Sequence, residues 1–393
     1  MKILHVISSL PKTGGGTSEI IPKICAEQVR VGLDVAIAYR DVGSLSDSAR
    51  EAETVGVRLV SFNAAAFPLS RISFSSGMMR GLGALVKEAD VVHVHGGWLF
   101  AVWWAVHCAR KYHKPYVMMP HGSLEPERLK ISKWKKRFVG WLSDRRAYKH
   151  AAAAWVTAES EIAGVRRYGA TCPIAVMPLG LDVRPYEESH RDEALLARLG
   201  ISKDKNILLY LSRITKFKGL DMLAKVWKDI SPRFPDWQLV VTGPDDYHGY
   251  RSEIEAQFNA SCVKESFVFT GPVYGVDKFN LIKSASGFVL PTRNENFSIA
   301  VAEALASGVP VVCTKGAPWK AIAGDDEIGR SGWWVEVSEE GIREGLQRIF
   351  QASEEDRKIW GQNGGELVRS RFAWPQIAQK MKIAYAECLN ERA

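Results

Sequence analysis

Residues 287–312 read GFVLPTRNENFSIAVAEALASGVPVV. The apolar "GFVLPT" has the character of a buried strand, and "RNENF" is a polar loop. A helical pattern then begins near Ser298, a residue type favoured at helix N-caps, and ends at Gly308. "GVPVV" opens the next strand. Within this unit stand two acids eight positions apart, Glu295 in the loop and Glu303 in the helix. At about 100° per residue, Glu303 lies about 40° from Ile299, on the edge of the buried face.

An acid in that position costs free energy unless it meets a donor. Ribose or sugar hydroxyls are donors of the right kind. The plainer reading is a glutamate favoured early in the helix by the macrodipole.

The same alternation runs along the whole chain. Strand-like runs at 2–8, 34–39, 57–62, 91–95, 115–120 and 153–158 alternate with helical patterns such as 18–31, 75–89 and 99–112. A second series follows at 206–212, 237–243, 266–271, 287–291, 310–314 and 332–337. Such alternation predicts parallel sheets covered by helices on both faces, so the fold class is α/β with two doubly wound domains. The first domain is expected over 1–181 and the second over 206–373, joined by the polar, charge-rich stretch 182–205. Residues 374–393 carry one long amphipathic helix.

The bulk properties agree. At about 100–200 residues per domain, 393 residues make two domains. Lys and Arg number 52 against 44 Asp and Glu, a net charge of +8. Six scattered cysteines without a CxxC pair argue against a zinc site or a disulfide framework and fit a reducing compartment. The start MKILHVISSL has too short an apolar run for a signal peptide. The most apolar later stretch, 96–112, is short of the ~20 residues that span a bilayer. A cytoplasmic protein is expected, peripheral on a membrane surface if it meets one.

Ligands of open α/β sheets bind at the carboxyl ends of strands. After the first strand comes SSLPKTGGGTSE, with Gly14, Gly15 and Gly16 ahead of a helix. Such a turn lets backbone N–H groups approach an anion, or is a flexible connection and no more. Its spacing fits neither a dinucleotide fingerprint nor a P-loop. After the strand at 206–212 comes SRITKFKG, with Arg213, Lys216 and Lys218 at the mouth of the sheet. Arg offers a fork for phosphate oxygens and Lys a mobile charge; the alternative is a solvated basic loop.

Taken in order, these segments resemble retaining glycosyltransferases of family 4. Glu295 to Glu303 has the form of their E-x7-E signature, followed by ALASGVPVV. The glycine turn, MMPHG (118–122), VMPLGLD (176–182), LSRITKFKGLDML (211–223), TGPDDYHGY (242–250) and FTGPVYGVDK (269–278) also stand in the family's order. The resemblance covers nearly the whole chain. It implies a GT-B fold, two Rossmann-like domains facing a central cleft that holds a nucleotide-sugar, with the terminal helix crossing back to the first domain.

The resemblance also implies site residues. Arg213 and Lys218 match the pair that neutralises the donor diphosphate. Glu303 matches the acid on the ribose hydroxyls, and Glu295 the acid near the donor sugar. Backbone amides over Asn296, Phe297, Ser298 and Ile299 match those lining sugar and phosphate. Gly15 and Gly16 match the loop on the diphosphate, and His121 of "PHG" a histidine beside the anomeric carbon. A buried histidine after a strand otherwise serves as a satisfied core residue.

Two departures bear on donor choice: Asn296-Phe297-Ser298 replaces a glycine-rich turn, and "PLGLD" replaces "PNGVD". Pro318-Trp319 and Trp333-Trp334 resemble a bacterial subset that builds cell-surface polysaccharides.

No DxD pair of the kind that holds a metal in the other major glycosyltransferase fold occurs, so metal independence is expected, with a UDP- or GDP-sugar as substrate and no prosthetic group. The stretch 128–150, RLKISKWKKRFVGWLSDRRAYKH, spaces Trp134, Phe138, Trp141 and Leu142 at helical intervals among lysines and arginines. That composition suits a basic amphipathic helix on an anionic membrane, near a glycan or lipid-linked acceptor; inward-packed aromatics are the alternative. Nucleic acid is a poor fit, because the charge is local and no recognition motif appears. A dinucleotide-binding Rossmann protein and a sugar-nucleotide epimerase are the competing readings. The missing G-x-G-x-x-G speaks against the first, and the E-x7-E match against the second.

Overall fold

The computed structural model describes residues 1–12, 16–65, 72–124, 145–245, 249–261, 264–324 and 327–390. The chain divides into two compact units, Met1–Gly180 with Trp374–Ala393, and Leu181–Ala373.

The first unit is built on a seven-stranded sheet. Its strands are β1 (Lys2–Val6), β2 (Asp34–Arg40), β3 (Arg58–Phe62), β4 (Val91–His95), β5 (Tyr116–Met119), β6 (Ala153–Val156) and β7 (Ile174–Val176). They lie parallel in the order β3-β2-β1-β4-β5-β6-β7. A parallel sheet covered by helices on both faces buries both sides of its central strands, which explains why β1 and β4 read as near-continuous apolar runs. The helix Gly16–Arg30 follows β1, and the terminal helix Trp374–Asn390 packs on it and on β4. Trp374, Ile377, Ala378, Met381, Tyr385 and Cys388 are its buried residues, spaced as one helical face.

The second unit carries β8 (Asn206–Leu211), β9 (Trp237–Thr242), β10 (Phe267–Gly271), β11 (Gly287–Leu290), β12 (Val311–Thr314) and β13 (Gly332–Val335). Their order is β10-β9-β8-β11-β12-β13, again parallel. In each sheet the chain winds outward one way and then restarts on the other side of its first strand. The switch points therefore lie between β1 and β4 and between β8 and β11, where an open α/β sheet forms its binding crevice.

The stretch 182–205 is not an open tether. It contains the helices Arg184–Glu187 and Glu193–Arg198, which bury Tyr186, Leu195 and Leu196 in the second unit. Of the strands, β7 alone is absent from the sequence reading. It has three residues at the sheet edge, none of them buried, so it carries no apolar run.

Candidate active site

In the second unit the loops after β8 and β11 meet at the switch point. Gly219 ends the turn Lys216–Lys218 at φ 71°, and a Cβ there would sit 1.9 Å from the carbonyl oxygen of Pro291. Only glycine permits that approach, which seats the cationic turn directly on the strand that leads into the acidic loop. The seam is stitched by the Arg293 N–H and the Thr292 hydroxyl, both donating to the carbonyl of Phe217, at 2.8 and 3.1 Å. Arg293 also forks onto Asp221 at 2.8 and 2.7 Å.

This seating brings Lys218 and Glu295 together as an ion pair, both largely buried. Burial first, and the charge of Arg213 second, push the Lys218 ammonium down to about 8. Arg213 itself stands exposed beyond the end of β8.

The loop from Asn294 to Ser298 is braced by aromatic rings. The buried Phe297 packs against Trp319 and Phe372, and the Trp319 indole N–H donates to the Phe297 carbonyl. Ser298 was expected to cap the following helix. It occupies the cap position at φ 63°, ψ 80°, but its side chain makes no capping bond. The loop holds a non-glycine residue in left-handed geometry, a strain typical of ligand-facing turns. The helix Ile299–Ala306 therefore starts without a side-chain cap, its Val301 N–H reaching only the Ser298 carbonyl at 3.1 Å. Its end matches expectation: Gly308 is left-handed at φ 77°, and the Gly308 and Val309 N–H groups close the last turn on Leu305 and Ala304.

Glu303 is 5 % exposed and its carboxylate does meet donors. The Tyr186 hydroxyl donates at 2.7 Å and Lys278 Nζ at 2.6 Å, both to Oε1. Among the described residues Oε2 accepts no hydrogen bond. Burial, and then the neighbouring Glu303 charge, push the Tyr186 phenol up, so it stays a donor. Tyr186 and Lys278 were missed in the sequence. They lie 117 and 25 positions from Glu303, and no local pattern links them.

In the first unit, Gly16 opens the helix Gly16–Arg30, whereas Gly15 lies outside the described residues. His121 follows β5 at φ 50° and is partly exposed. It is the outer member of a histidine chain that the sequence reading passed over. His95 Nδ1 and His121 Nε2 are 2.9 Å apart, and His5 Nδ1 and His95 Nε2 are 2.8 Å apart. His5 Nε2 meets Gln28 Oε1 at 2.8 Å. His93 stacks on His95 and bonds the Tyr385 hydroxyl through Nδ1 at 2.6 Å. The available signal was three histidines inside otherwise apolar strands, "KILHV" and "VVHVH".

Burial drives His5 and His121 to about 4, and His93 and His95 well below their usual range, so all four are neutral at pH 7. His5, His93 and His95 present nitrogens within 4.8 Å of one another, near enough to hold a metal. Those of His5 and His95 are all engaged in the chain, however, so ligation by the three would break hydrogen bonds already made.

The basic stretch 128–150 lies outside the described residues as far as 144. Its described end, the helix Arg145–His150, buries Ala147 and Tyr148 and exposes Arg145, Arg146, Lys149 and His150. Among the described residues no helix is long and apolar enough to cross a membrane.

Two Rossmann-like units, one with cations and carboxylates gathered at its switch point, define the class as an open-sheet α/β protein with charged side chains at its strand ends. Comparison with known proteins narrows the class. Residues 192–366 match the family described as glycosyl transferases group 1, and residues 15–180 the glycosyl transferase 4-like domain. A D-inositol 3-phosphate glycosyltransferase of Xylanimonas cellulosilytica is 25 % identical over 97 % of this chain and 94 % of its own. Anabaena HepE, solved in complex with UDP and glucose, superposes with a TM-score of 0.73 at 16 % identity, covering 98 % of this chain and all of HepE. WaaG, a glycosyltransferase involved in lipopolysaccharide biosynthesis, gives 0.66 at 15 % identity, covering 97 % and 99 %. The chain belongs to the glycosyltransferases of family 4 and has the GT-B fold.

Proposed function

We propose that the protein is a retaining hexosyltransferase that takes a UDP- or GDP-sugar and extends a glycan or lipid-linked acceptor of a bacterial surface polysaccharide. The observation that carries the donor reading is Glu303, a buried acid at the switch point. Both its protein donors share one carboxylate oxygen, which leaves the other for ribose hydroxyls. HepE has been crystallised with UDP-glucose and WaaG belongs to lipopolysaccharide synthesis, which favours UDP as the nucleotide and surface glycans as the product class.

On this reading Lys218 and Arg213 neutralise the donor diphosphate as its bond to the sugar C1 breaks, assisted by the amides from Asn296 to Ile299. The acceptor oxygen bonds to C1 on the same face, and its proton passes to an oxygen of the departing diphosphate. Glu295 is paired with the Lys218 ammonium. A carboxylate so engaged is suited to holding the cation and the sugar in place and is a poor nucleophile. His121 contacts the donor sugar, and the glycine turn at Gly15 and Gly16 the diphosphate. No metal takes part in this scheme. The stretch 128–150 would rest on the anionic inner face of the cytoplasmic membrane.

The test is transfer itself. Sugar release from UDP- and GDP-sugars is followed with lipid-linked and oligosaccharide acceptors, with and without EDTA, and the product's anomeric configuration is read by NMR. Retained configuration and activity in EDTA support the reading. Inverted configuration, or reduction of NAD in place of sugar transfer, overturns it. For the membrane contact, binding to anionic vesicles is expected to fall in high salt and on charge reversal of Lys133, Lys135 and Lys136; unchanged binding removes it.

A further inference from the structure

The histidine chain has a direction, and Met381 sets it. The Gln28 side chain lies 3.4 Å from the Met381 sulfur and 3.2 Å from the Tyr385 hydroxyl through its nitrogen. A thioether sulfur can accept a hydrogen bond but has none to give. The amide NH2 must therefore face Met381, and Oε1 must face His5.

From that point each proton is determined. Gln28 Oε1 only accepts, so His5 Nε2 carries the proton. A neutral His5 then has a bare Nδ1, and His95 Nε2–H donates to it. A neutral His95 likewise has a bare Nδ1, and His121 Nε2–H donates to that. Neutral His121 is left with an unprotonated Nδ1 outside the chain. The members are buried apart from the partly exposed His121, so no solvent competes for the inner bonds.

We propose that Gln28, His5 and His95 are positioning residues that fix His121 in its Nε2–H tautomer, so that Nδ1 can only accept. A ring nitrogen so prepared, with a lone pair and no proton, recognises a hydroxyl presented as a hydrogen-bond donor. The functional part of this rests on the reading of His121 as a contact of the donor sugar: the ligand class is a sugar hydroxyl presented as a proton donor. His93 shares the layer but not the chain. Its Nδ1 takes the Tyr385 hydroxyl, and among the described residues its Nε2 has no hydrogen-bond partner. It serves as the internal control.

The experiment is two-bond 1H–15N NMR of the full chain with 15N-labelled histidine at pH 7.5, with His121 assigned by its loss in His121→Asn. The expected spectrum shows His121 as the Nε2–H form alone. The Nδ1–H form, or a mixture, overturns the proposal without any chain variant having to fold. In Gln28→Leu an Nδ1–H population should appear, and kcat for transfer should fall about tenfold with the donor KM held, as for one misdirected hydrogen bond. In His93→Phe the His121 tautomer should not change. A Gln28→Leu spectrum identical to the wild type, or a His93→Phe spectrum that loses the single tautomer, overturns the chain as its cause. A single Nε2–H form in a protein that binds no nucleotide-sugar supports the chain and overturns the transferase reading, so the two failures are distinguishable.

Discussion

At the scale of single residues, the second unit's site is built on charges held largely out of water. Removing Glu303 should leave Lys278 and Tyr186 without their acceptor and the ribose without its own. Glu303→Ala is expected to weaken nucleoside diphosphate binding about 10–100-fold by calorimetry, the range for one or two hydrogen bonds to a charged group. Lys218 gives a sign for pH. Its proton leaves near pH 8 in the free protein, and a bound diphosphate would raise that value. Affinity should then be level below pH 7 and fall as pH rises through 8. Lys218→Arg, which keeps its charge, should lose that fall; an unchanged pH profile in this variant would remove Lys218 from the diphosphate. Lys218, in the turn after β8, and Glu303, in the helix after β11, were singled out in the sequence because any α/β reading inspects the segments that follow strand ends. Tyr186 and Lys278 were not, since a hydrogen bond across 117 positions leaves no trace in local spacing. The histidines were written plainly in β1 and β4, but a polar residue in a buried strand announces a partner without naming it.

Among elements, what matters is how the turn Lys216–Lys218 is set against the loop after β11. Gly219→Ala would place a Cβ on the Pro291 carbonyl in a left-handed backbone. It should cost more than the ~1–2 kcal/mol of the backbone strain alone. Its denaturation midpoint and its UDP affinity should drop together, because the same seam carries Lys218. Trp319 props the strained Phe297-Ser298 turn from beneath. Trp319→Ala is expected to lose about 3–5 kcal/mol in chemical denaturation, as for other buried large-to-small changes. Strands and helices were mostly visible as apolar runs and helical periods. The Ser298 cap was not, because propensity assigned it a side-chain bond while the packing of Phe297 and Trp319 imposed a left-handed backbone. The three-residue β7 escaped for the opposite reason, having no buried face to leave a pattern.

For the whole molecule, two parallel sheets follow from two series of alternating elements, and the sequence shows both series. The strand orders, with their switch points beside β1 and β8, are set by packing that periodicity does not encode. The buried histidines of the first sheet give the fold a pH signature. An unfolded histidine takes up a proton near pH 6.5, whereas His5 waits until about 4 and His93 and His95 lower than usual. Between those values the unfolded state binds more protons, so stability should fall as pH drops from 6.5 towards 4, by about 1.4 kcal/mol per pH unit for each such group. The residues facing them include Gln28, Tyr385, Trp155 and the other histidines, none of which carries a compensating negative charge. Flat stability across that window, followed by urea unfolding at successive pH values, would contradict the neutral cluster.

The central claim is that the second unit grips a nucleoside diphosphate through Glu303 and Lys218. It is tested most directly by a thermal-shift series with UDP, GDP, ADP, NAD and their sugar conjugates, on the wild type and on Glu303→Ala. UDP or GDP is expected to stabilise the wild type by about 2.7 kcal/mol at a hundredfold excess over its Kd, and the variant at the same ligand concentration by only about 0.4–1.4 kcal/mol, as a 10–100-fold weaker Kd requires. Stabilisation by NAD alone, or an undiminished shift in Glu303→Ala, would contradict it.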